Sequence, residues 1–254
     1  VPRWSEIVKG LWDADRATML NLHIILLGSS PWLMQKGLTE SLAGRYELIR
    51  MTHWSFSEIQ DAFDFTLDEF VYFGGYPGSA GLIRDEKRWR AYIRGALIHP
   101  NIEKDILQMT RVDKPALLKN LFELGCNYSG QIISYTKLMG QLQDAGNTVT
   151  LAHYLDLLSQ AGLLSGLHKY AGQQHRQRSS SPKLNALNTA LISALSSYSF
   201  VEARADRSHW GRLVESAVGA HLCNTAHDTC QVQYWRESPE EVDFVVRDGK
   251  KLLA

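Results

Sequence analysis

An apolar run bounded by turn residues stands near the start of the chain, LHIILLGSS at residues 22–30. A short run of this kind is typical of a strand buried in a parallel sheet. Pro31 is suited to open a helix, and residues 39–43 indicate a second short helix that ends at Gly44. Residues 46–51 then alternate like a second strand. We therefore expect a strand–helix–strand unit, and because two parallel strands cannot cover themselves, the rest of the sheet should lie upstream or on a partner.

Polar residues follow the first expected strand, and an arginine follows the second short helix. Ser29 and Ser30 stand at the C-terminal end of the strand, where α/β sheets bind ligands. Arg45 follows Gly44, and a planar guanidinium at this point is suited to a phosphate. A plain turn with a surface arginine explains the same spacing, so the residues alone leave both interpretations open.

The middle of the chain has the element order of a winged helix. The pattern predicts a helix at residues 134–143, a second helix at 148–160, a strand at 163–170 and a polar, basic loop at 172–181. A DNA-binding winged helix would use the second helix for recognition and the loop as its wing.

Two features of this region point in opposite directions on DNA binding. The loop carries the candidate residues His175, Arg176 and Arg178, whose side chains are suited to phosphates. The helix at 148–160 contains no lysine or arginine, whereas helices that read the major groove usually present basic or amide side chains. The alternative is a winged helix that packs between domains.

Five strings along the chain are together similar to one protein family. The segment from Gly28 to Arg45 resembles the part of bacterial and archaeal AAA+-type P-loop ATPases that holds the sensor-1 polar residue and the arginine finger. The other strings follow in the family's order: FGGYP at 73–77, YLDLL at 154–158, SPK at 181–183 and EVDFV at 241–245. The match covers nearly the whole chain, and the family's C-terminal domain bears only an unknown-function label.

The resemblance implies that Ser29 or Ser30 is sensor 1 and that Arg45 is the arginine finger. It also implies ATP and Mg²⁺ as cofactors of a full-length parent. The family's phosphate-binding loop, G-x-x-x-x-G-K-[ST], does not occur in this sequence, and neither does its acidic Mg²⁺-binding strand. We therefore expect a C-terminal fragment of an AAA+-type ATP-binding protein that holds no cofactor and does not hydrolyse ATP alone.

Two acidic residues gain significance from the same resemblance. Glu215 and Asp243 are similar to the first two acids of the PD-(D/E)xK nuclease fold. That chemistry needs clustered carboxylates for Mg²⁺ and a lysine near the activated water. The sequence reaches Ala254 before an E-x-K appears, so we expect a truncated, inactive nuclease-like domain. The alternative is a helix glutamate and a strand aspartate that pair with nearby arginines.

A zinc site is the remaining metal hypothesis. Cys223, His227 and Cys230 have the spacing of one helix face. A structural zinc site needs four ligands, and a fourth is not evident. We therefore expect no metal site in this chain.

The expected fold is a helix-rich α/β chain of four parts. These are a partial P-loop ATPase sheet in residues 1–54, a helical lid or linker in 55–125, a winged helix in 126–185 and a truncated restriction-endonuclease-like domain in 186–254. Because unpaired strand edges associate readily, the expected partner is a second copy or another chain that completes the sheet. Nucleic acid is the alternative partner.

Composition limits the remaining possibilities. Lys plus Arg and Asp plus Glu both count 27, so the formal net charge is zero, and nothing in the overall charge favours a dedicated nucleic-acid or membrane binder. Three cysteines favour a reducing cytoplasm. The hypotheses that remain are an ATPase fragment, a DNA-binding or nuclease-like module and a protein–protein assembly module.

Overall fold

The fold is that of a computed structural model, which describes residues 3–28, 38, 41–106, 112–144, 146–171, 180–227 and 229–254. The chain divides into two compact units, Val1–Met51 and Thr52–Ala254. It is a mixed α/β chain, about 54% helical, with small antiparallel sheets. The helix-rich α/β character that we expected is therefore confirmed. None of the helices in the described residues is long and apolar enough to cross a membrane.

The first unit begins with helix α1, Trp4–Ala17. Its first turn carries Glu6 and its last turn Arg16, the arrangement that the helix dipole favours. Residues 20–28 have no regular secondary structure, and the chain turns at Gly44, whose φ of 73° is in the left-handed region. Arg45 follows this turn, and its amide donates to the carbonyl of Leu42 over 2.9 Å.

The two expected strands of this unit are not formed in the described residues. Residues 20–28 and 46–51 have no regular secondary structure, and their apolar side chains face solvent, with Ile25 84% and Ile49 80% exposed. A strand needs a neighbour for its amide and carbonyl groups. Within the described part of this unit neither segment has one, so the prediction of two buried strands was wrong here.

The second unit opens with two short helices, α2 at Phe56–Phe63 and α3 at Leu67–Phe73. Each is preceded by a capping box, Ser55 with Glu58 and Thr66 with Glu69. In a capping box two otherwise unpaired backbone amides are satisfied reciprocally. The two helices therefore begin at Phe56 and Leu67, directly after Ser55 and Thr66.

Further helical elements follow in the described residues up to 127. A 3₁₀ turn at Pro77–Leu82, α4 at Glu86–Tyr92, π-helical turns at Ile93–Ile98 and Asn101–Ile106, and α5 at Pro115–Asn127 follow in order. Its aromatic core includes Tyr72, Phe73 and Trp89, whose rings pack edge to face or stacked at centroid distances of 4.8 to 5.9 Å. Such ring pairs add stability beyond the area that they bury.

Two helices and a hairpin-like pair of strands come next. They are α6 at Tyr135–Met139, α7 at Thr148–Gln160, β1 at Leu164–Leu167 and β2 at Lys183–Ala186. The strands pair antiparallel, with Leu164 opposite Ala186 and Leu167 opposite Lys183. On the other edge of β2, the amide of Gly130 donates to the carbonyl of Leu184 over 2.8 Å.

The chain then forms three helices and a three-stranded antiparallel meander. The helices are α8 at Thr189–Leu195, α9 at Phe200–Ala205 and α10 at Arg207–Thr225. The strands are β3 at Cys230–Glu237, β4 at Glu240–Asp248 and β5 at Lys251–Leu253, in the order β3-β4-β5. An isolated parallel bridge between Lys169 and Tyr234 joins the segment after β1 to β3.

Candidate functional site

A buried lysine brings three separate elements of the second unit together. Lys183 is the first residue of β2, and its side chain is 0% exposed. Its ammonium nitrogen, Nζ, lies 2.5 Å from Oε1 of Glu215 on α10 and 2.6 Å from Oδ1 of Asp243 on β4. A charged lysine is almost never fully buried unless it is paired. The two acids therefore account for the burial of this side chain.

The two contacts of the ammonium differ in kind. Nζ donates a hydrogen bond to Asp243 Oδ1, and it lies 3.4 Å from the Asp243 carbonyl oxygen. Oε1 of Glu215 forms an ion pair with Nζ but has no hydrogen-bond geometry. Both contacts join opposite charges, and the hydrogen bond to Asp243 is charge-assisted.

The environment of the cluster is of low polarity on one side. The Lys183 ammonium lies 4.9 Å from the centroid of the Phe244 ring, a distance at which the ring face attracts a cation. The Glu215 side chain is 25% exposed and that of Asp243 is 58% exposed. Burial raises the pKa of Glu215, and the Lys183 ammonium acts in the opposite direction.

Helix α10 reaches this position because it lies close to the sheet. One turn after Glu215, Gly219 faces Asn185 and Phe244, and a Cβ there would stand 2.3 Å from Asn185 Oδ1. Ser216 on the same helix shares a hydrogen bond of 2.8 Å with Ser129, whose hydroxyl in turn accepts from the amide of Ala186. These contacts fix the helix against β2 and so place Glu215 beside Lys183.

The structure brings together two of the residues that the sequence singled out and adds a third. Glu215 and Asp243 both pair with Lys183, and not with the arginines that the alternative interpretation expected. Lys183 was visible only as part of the string SPK at 181–183. A lysine at the start of an apolar strand was the signal that could have identified it, since such a side chain needs a buried counter-charge.

The remaining candidate residues lie elsewhere. Arg45 is in the first unit, where its guanidinium carbon stands 5.2 Å from the centroid of the Trp12 ring. Ser29, Ser30, His175, Arg176 and Arg178 lie outside the described residues.

The described residues hold no group of three or more His, Cys, Asp and Glu side chains that is arranged to bind a metal ion. The helical spacing of Cys223, His227 and Cys230 does not place them on one helix face, because α10 ends at Thr225 and Cys230 begins β3. All three cysteines of the chain are free thiols.

Comparison with known proteins divides the chain in a similar way. Residues 1–60 match the AAA domain family, and residues 64–202 match the family described as Domain of unknown function (DUF8612). No solved structure is significantly similar to this chain.

The curated relatives of this chain are described as uncharacterized proteins. One from Mycobacterium bovis and one from Mycobacterium tuberculosis are each 29% identical over 184 residues, which is 71% of this chain and 39% of theirs. A third, from Haemophilus influenzae, is 23% identical over 100% of this chain and 62% of its own length. The chain thus spans less than two thirds of the length of these relatives. Since the DUF8612 match covers more than half of its residues, the chain belongs to the DUF8612 family.

Proposed function

We propose that this chain is part of an AAA-type ATPase and contributes Arg45 to a nucleotide site. The observation that carries the proposal is the match of residues 1–60 to the AAA domain family. Members of that class convert ATP binding and hydrolysis into conformational change, with phosphates held by a P-loop and charge neutralised by an arginine.

The surroundings of Arg45 support this role. Arg45 is exposed and directly follows the left-handed turn at Gly44. Its guanidinium and that of Arg16 both lie over the Trp12 ring, at 5.2 Å and 5.1 Å from the centroid. An aromatic face holds a guanidinium without using its N–H donors, so the donors of Arg45 stay available for phosphate oxygens.

The sensor-1 role of Ser29 or Ser30 rests on the resemblance alone. ATP and Mg²⁺ would be the cofactors of the complete site, and both depend on a P-loop and an acidic strand. This sequence contains no G-x-x-x-x-G-K-[ST]. We therefore propose that the chain senses nucleotide but does not turn it over by itself.

The test of this proposal is an ATPase assay with the purified chain. The expected rate of phosphate release equals that of a buffer blank, and Arg45→Ala leaves it unchanged. Hydrolysis by the pure chain that Arg45→Ala abolishes would contradict the proposal, because it would require a complete site within these residues.

We further propose that the first unit associates with a second copy or with another chain that completes its sheet. Residues 20–28 and 46–51 carry many exposed apolar side chains and, within the described residues, have no strand partners. Exposed apolar surface of this extent is typical of an interface. Association would also let Arg45 act on a nucleotide held by a neighbour.

We propose a reducing, cytoplasmic location for the chain, with which its free thiols are compatible.

A second candidate function is nucleic-acid binding by residues 126–185, and one observation favours it. The antiparallel pair β1–β2 follows helices α6 and α7, and Tyr170 after β1 and Ser181 before β2 both hydrogen-bond to Tyr234. The amide of Tyr170 donates to the Tyr234 carbonyl over 2.6 Å, and the Tyr234 hydroxyl donates to the Ser181 carbonyl over 2.5 Å. We propose that this region is a winged helix whose contacts would run through His175, Arg176 and Arg178.

The architecture of residues 186–254 is consistent with the same candidate. A long helix followed by a three-stranded meander carries Glu215 and Asp243 on adjacent elements, an arrangement that we propose to be nuclease-like. Fluorescence anisotropy with labelled duplex DNA tests the binding role at about 50 and 200 mM salt. Binding should weaken with salt and should fall at least about tenfold in Arg176→Ala/Arg178→Ala. The control Lys87→Ala/Arg88→Ala should bind normally, and no binding at the lower salt concentration contradicts the candidate.

A further inference from the structure

We infer that Lys183 is the resident cation of the Glu215–Asp243 carboxylate pair, so that this pair binds no divalent metal ion in the folded chain. The inference is independent of the proposed ATPase role. It concerns the Mg²⁺ that a nuclease-like site would need, and the residues present do not fit that ion.

The geometry of the cluster differs from that of a magnesium site. Magnesium requires carboxylate oxygens at about 2.0–2.1 Å in near-octahedral positions. The facing oxygens of Glu215 and Asp243 instead lie 2.5 and 2.6 Å from the Lys183 nitrogen. The ammonium therefore occupies the place between the two acids that a shared metal ion would need.

The Lys183 ammonium is also held in place by its surroundings. The Lys183 side chain is 0% exposed, and its head group packs on the Phe244 ring at 4.9 Å. Moving it away would leave a buried charge without a partner, which is strongly unfavourable. A metal ion would thus have to compete with a fixed internal cation rather than with mobile solvent ions.

The net charge of the cluster also disfavours a divalent ion. Two carboxylates and one ammonium leave a net charge of −1, whereas two carboxylates without the ammonium would leave −2. Divalent cation sites are built from several carboxylate or carbonyl oxygens, and a like charge at contact distance opposes binding. The cluster instead acts as an ionic connection between β2, α10 and β4.

Manganese binding provides the test, with Mn²⁺ as a paramagnetic probe for hard-cation sites. The wild-type chain should show no saturable Mn²⁺ binding by electron paramagnetic resonance, and Mg²⁺ should not shift its melting temperature. Lys183→Met removes the cation but keeps an unbranched apolar stem of similar length. This variant should bind Mn²⁺ at least about tenfold more tightly than the wild type and should melt at a higher temperature with Mn²⁺ than without it.

The matched control is Lys183→Met/Glu215→Gln, which should lose the Mn²⁺ binding that the single variant gains. Saturable Mn²⁺ binding by the wild type that Glu215→Gln or Asp243→Asn abolishes would overturn the inference. Failure of the folded single variant to bind Mn²⁺ more tightly than the wild type would overturn it as well.

If Lys183→Met does not fold, Mn²⁺ binding is tested on the wild-type chain by nuclear magnetic resonance. Paramagnetic broadening of the amide resonances around Glu215 and Asp243 by Mn²⁺ would then contradict the inference. Resonances that stay sharp at Mn²⁺ concentrations that broaden exposed acidic surface sites would support it.

Discussion

His53 places a titratable ring at the start of the second unit. Its Nε2 atom lies 2.7 Å from the carbonyl oxygen of Gly162, and its ring packs edge to face against Tyr76 at 5.1 Å. Burial lowers the pKa of His53 below its ordinary value of 6.5, and the hydrogen bond with Gly162 only partly offsets this. The folded state therefore prefers the neutral imidazole, which donates from Nε2.

The lowered pKa of His53 predicts a loss of stability in acid. Between the folded pKa and 6.5 the unfolded chain binds more protons than the folded chain, so stability present above pH 6.5 is lost as the pH falls. His53→Gln keeps a donor for the Gly162 carbonyl but cannot titrate. Urea unfolding at about pH 7.5 and about pH 5.5 should show a smaller loss for this variant than for the wild type, and equal losses would contradict the account.

The sequence identified the two acids of the ionic cluster but not their lysine partner. Glu215 and Asp243 could be singled out because each belongs to a recognisable string, but Lys183 could not be assigned as their partner. The lysine is separated from Glu215 by 32 positions and from Asp243 by 60, and pairing over such separations depends on how strand β2 and helix α10 pack. Spacing rules describe only neighbours on the same element.

Helix α10 is the element that joins the hairpin-like strands to the C-terminal meander. It approaches the sheet at Gly219, where a Cβ would stand 2.3 Å from Asn185 Oδ1 and 2.7 Å from Phe244 Cε1. Gly211 lies two turns earlier on the same helix, and a Cβ there would have no neighbour within 4 Å. The two glycines thus differ in packing while sharing a helical backbone.

This difference predicts opposite effects of the same substitution. Gly219→Ala should destabilise the chain by about 1–3 kcal/mol, because the added methyl group forces helix and sheet apart. Gly211→Ala should stabilise it by about 0.5–1 kcal/mol, because alanine loses less backbone entropy in a helix. Urea unfolding of both variants measures the effects, and a Gly219→Ala chain as stable as Gly211→Ala would show that the helix is not in close contact with the sheet.

The strand predicted at 163–170 forms as β1, whereas those predicted at 22–27 and 46–51 do not form. The predicted helix at 148–160 forms because local caps and periodicity determine it, as with Asn147, whose side chain accepts from the amide of Thr150 over 2.9 Å. The apolar runs at 22–27 and 46–51 read as strands, yet a strand exists only when a neighbour pairs with it. The pattern of apolar residues along a sequence does not show whether that neighbouring strand is present.

The second unit is well packed, whereas many apolar residues of the first unit face solvent. Self-association should therefore give a mass above the 28.7 kDa of one chain in size-exclusion chromatography with light scattering. Ile25→Ser/Ile49→Ser removes two of these apolar side chains and should shift the mass toward that of a monomer. Val201→Ser, at an exposed valine of the second unit, is the control and should leave the mass unchanged. A wild-type chain that is monomeric at all concentrations would contradict this prediction.

The proposed role of Arg45 is tested by ATP turnover in the presence of a P-loop. The chain is assayed with a P-loop-bearing AAA segment supplied in the same chain or in a neighbouring one, and the variants are Arg45→Ala and Arg16→Ala. Both arginines lie over the Trp12 ring, so Arg16→Ala reports on disturbance of that ring alone. We predict that Arg45→Ala lowers kcat on the order of a thousandfold while Arg16→Ala leaves it nearly unchanged. Equal turnover by the wild type and Arg45→Ala would contradict the account.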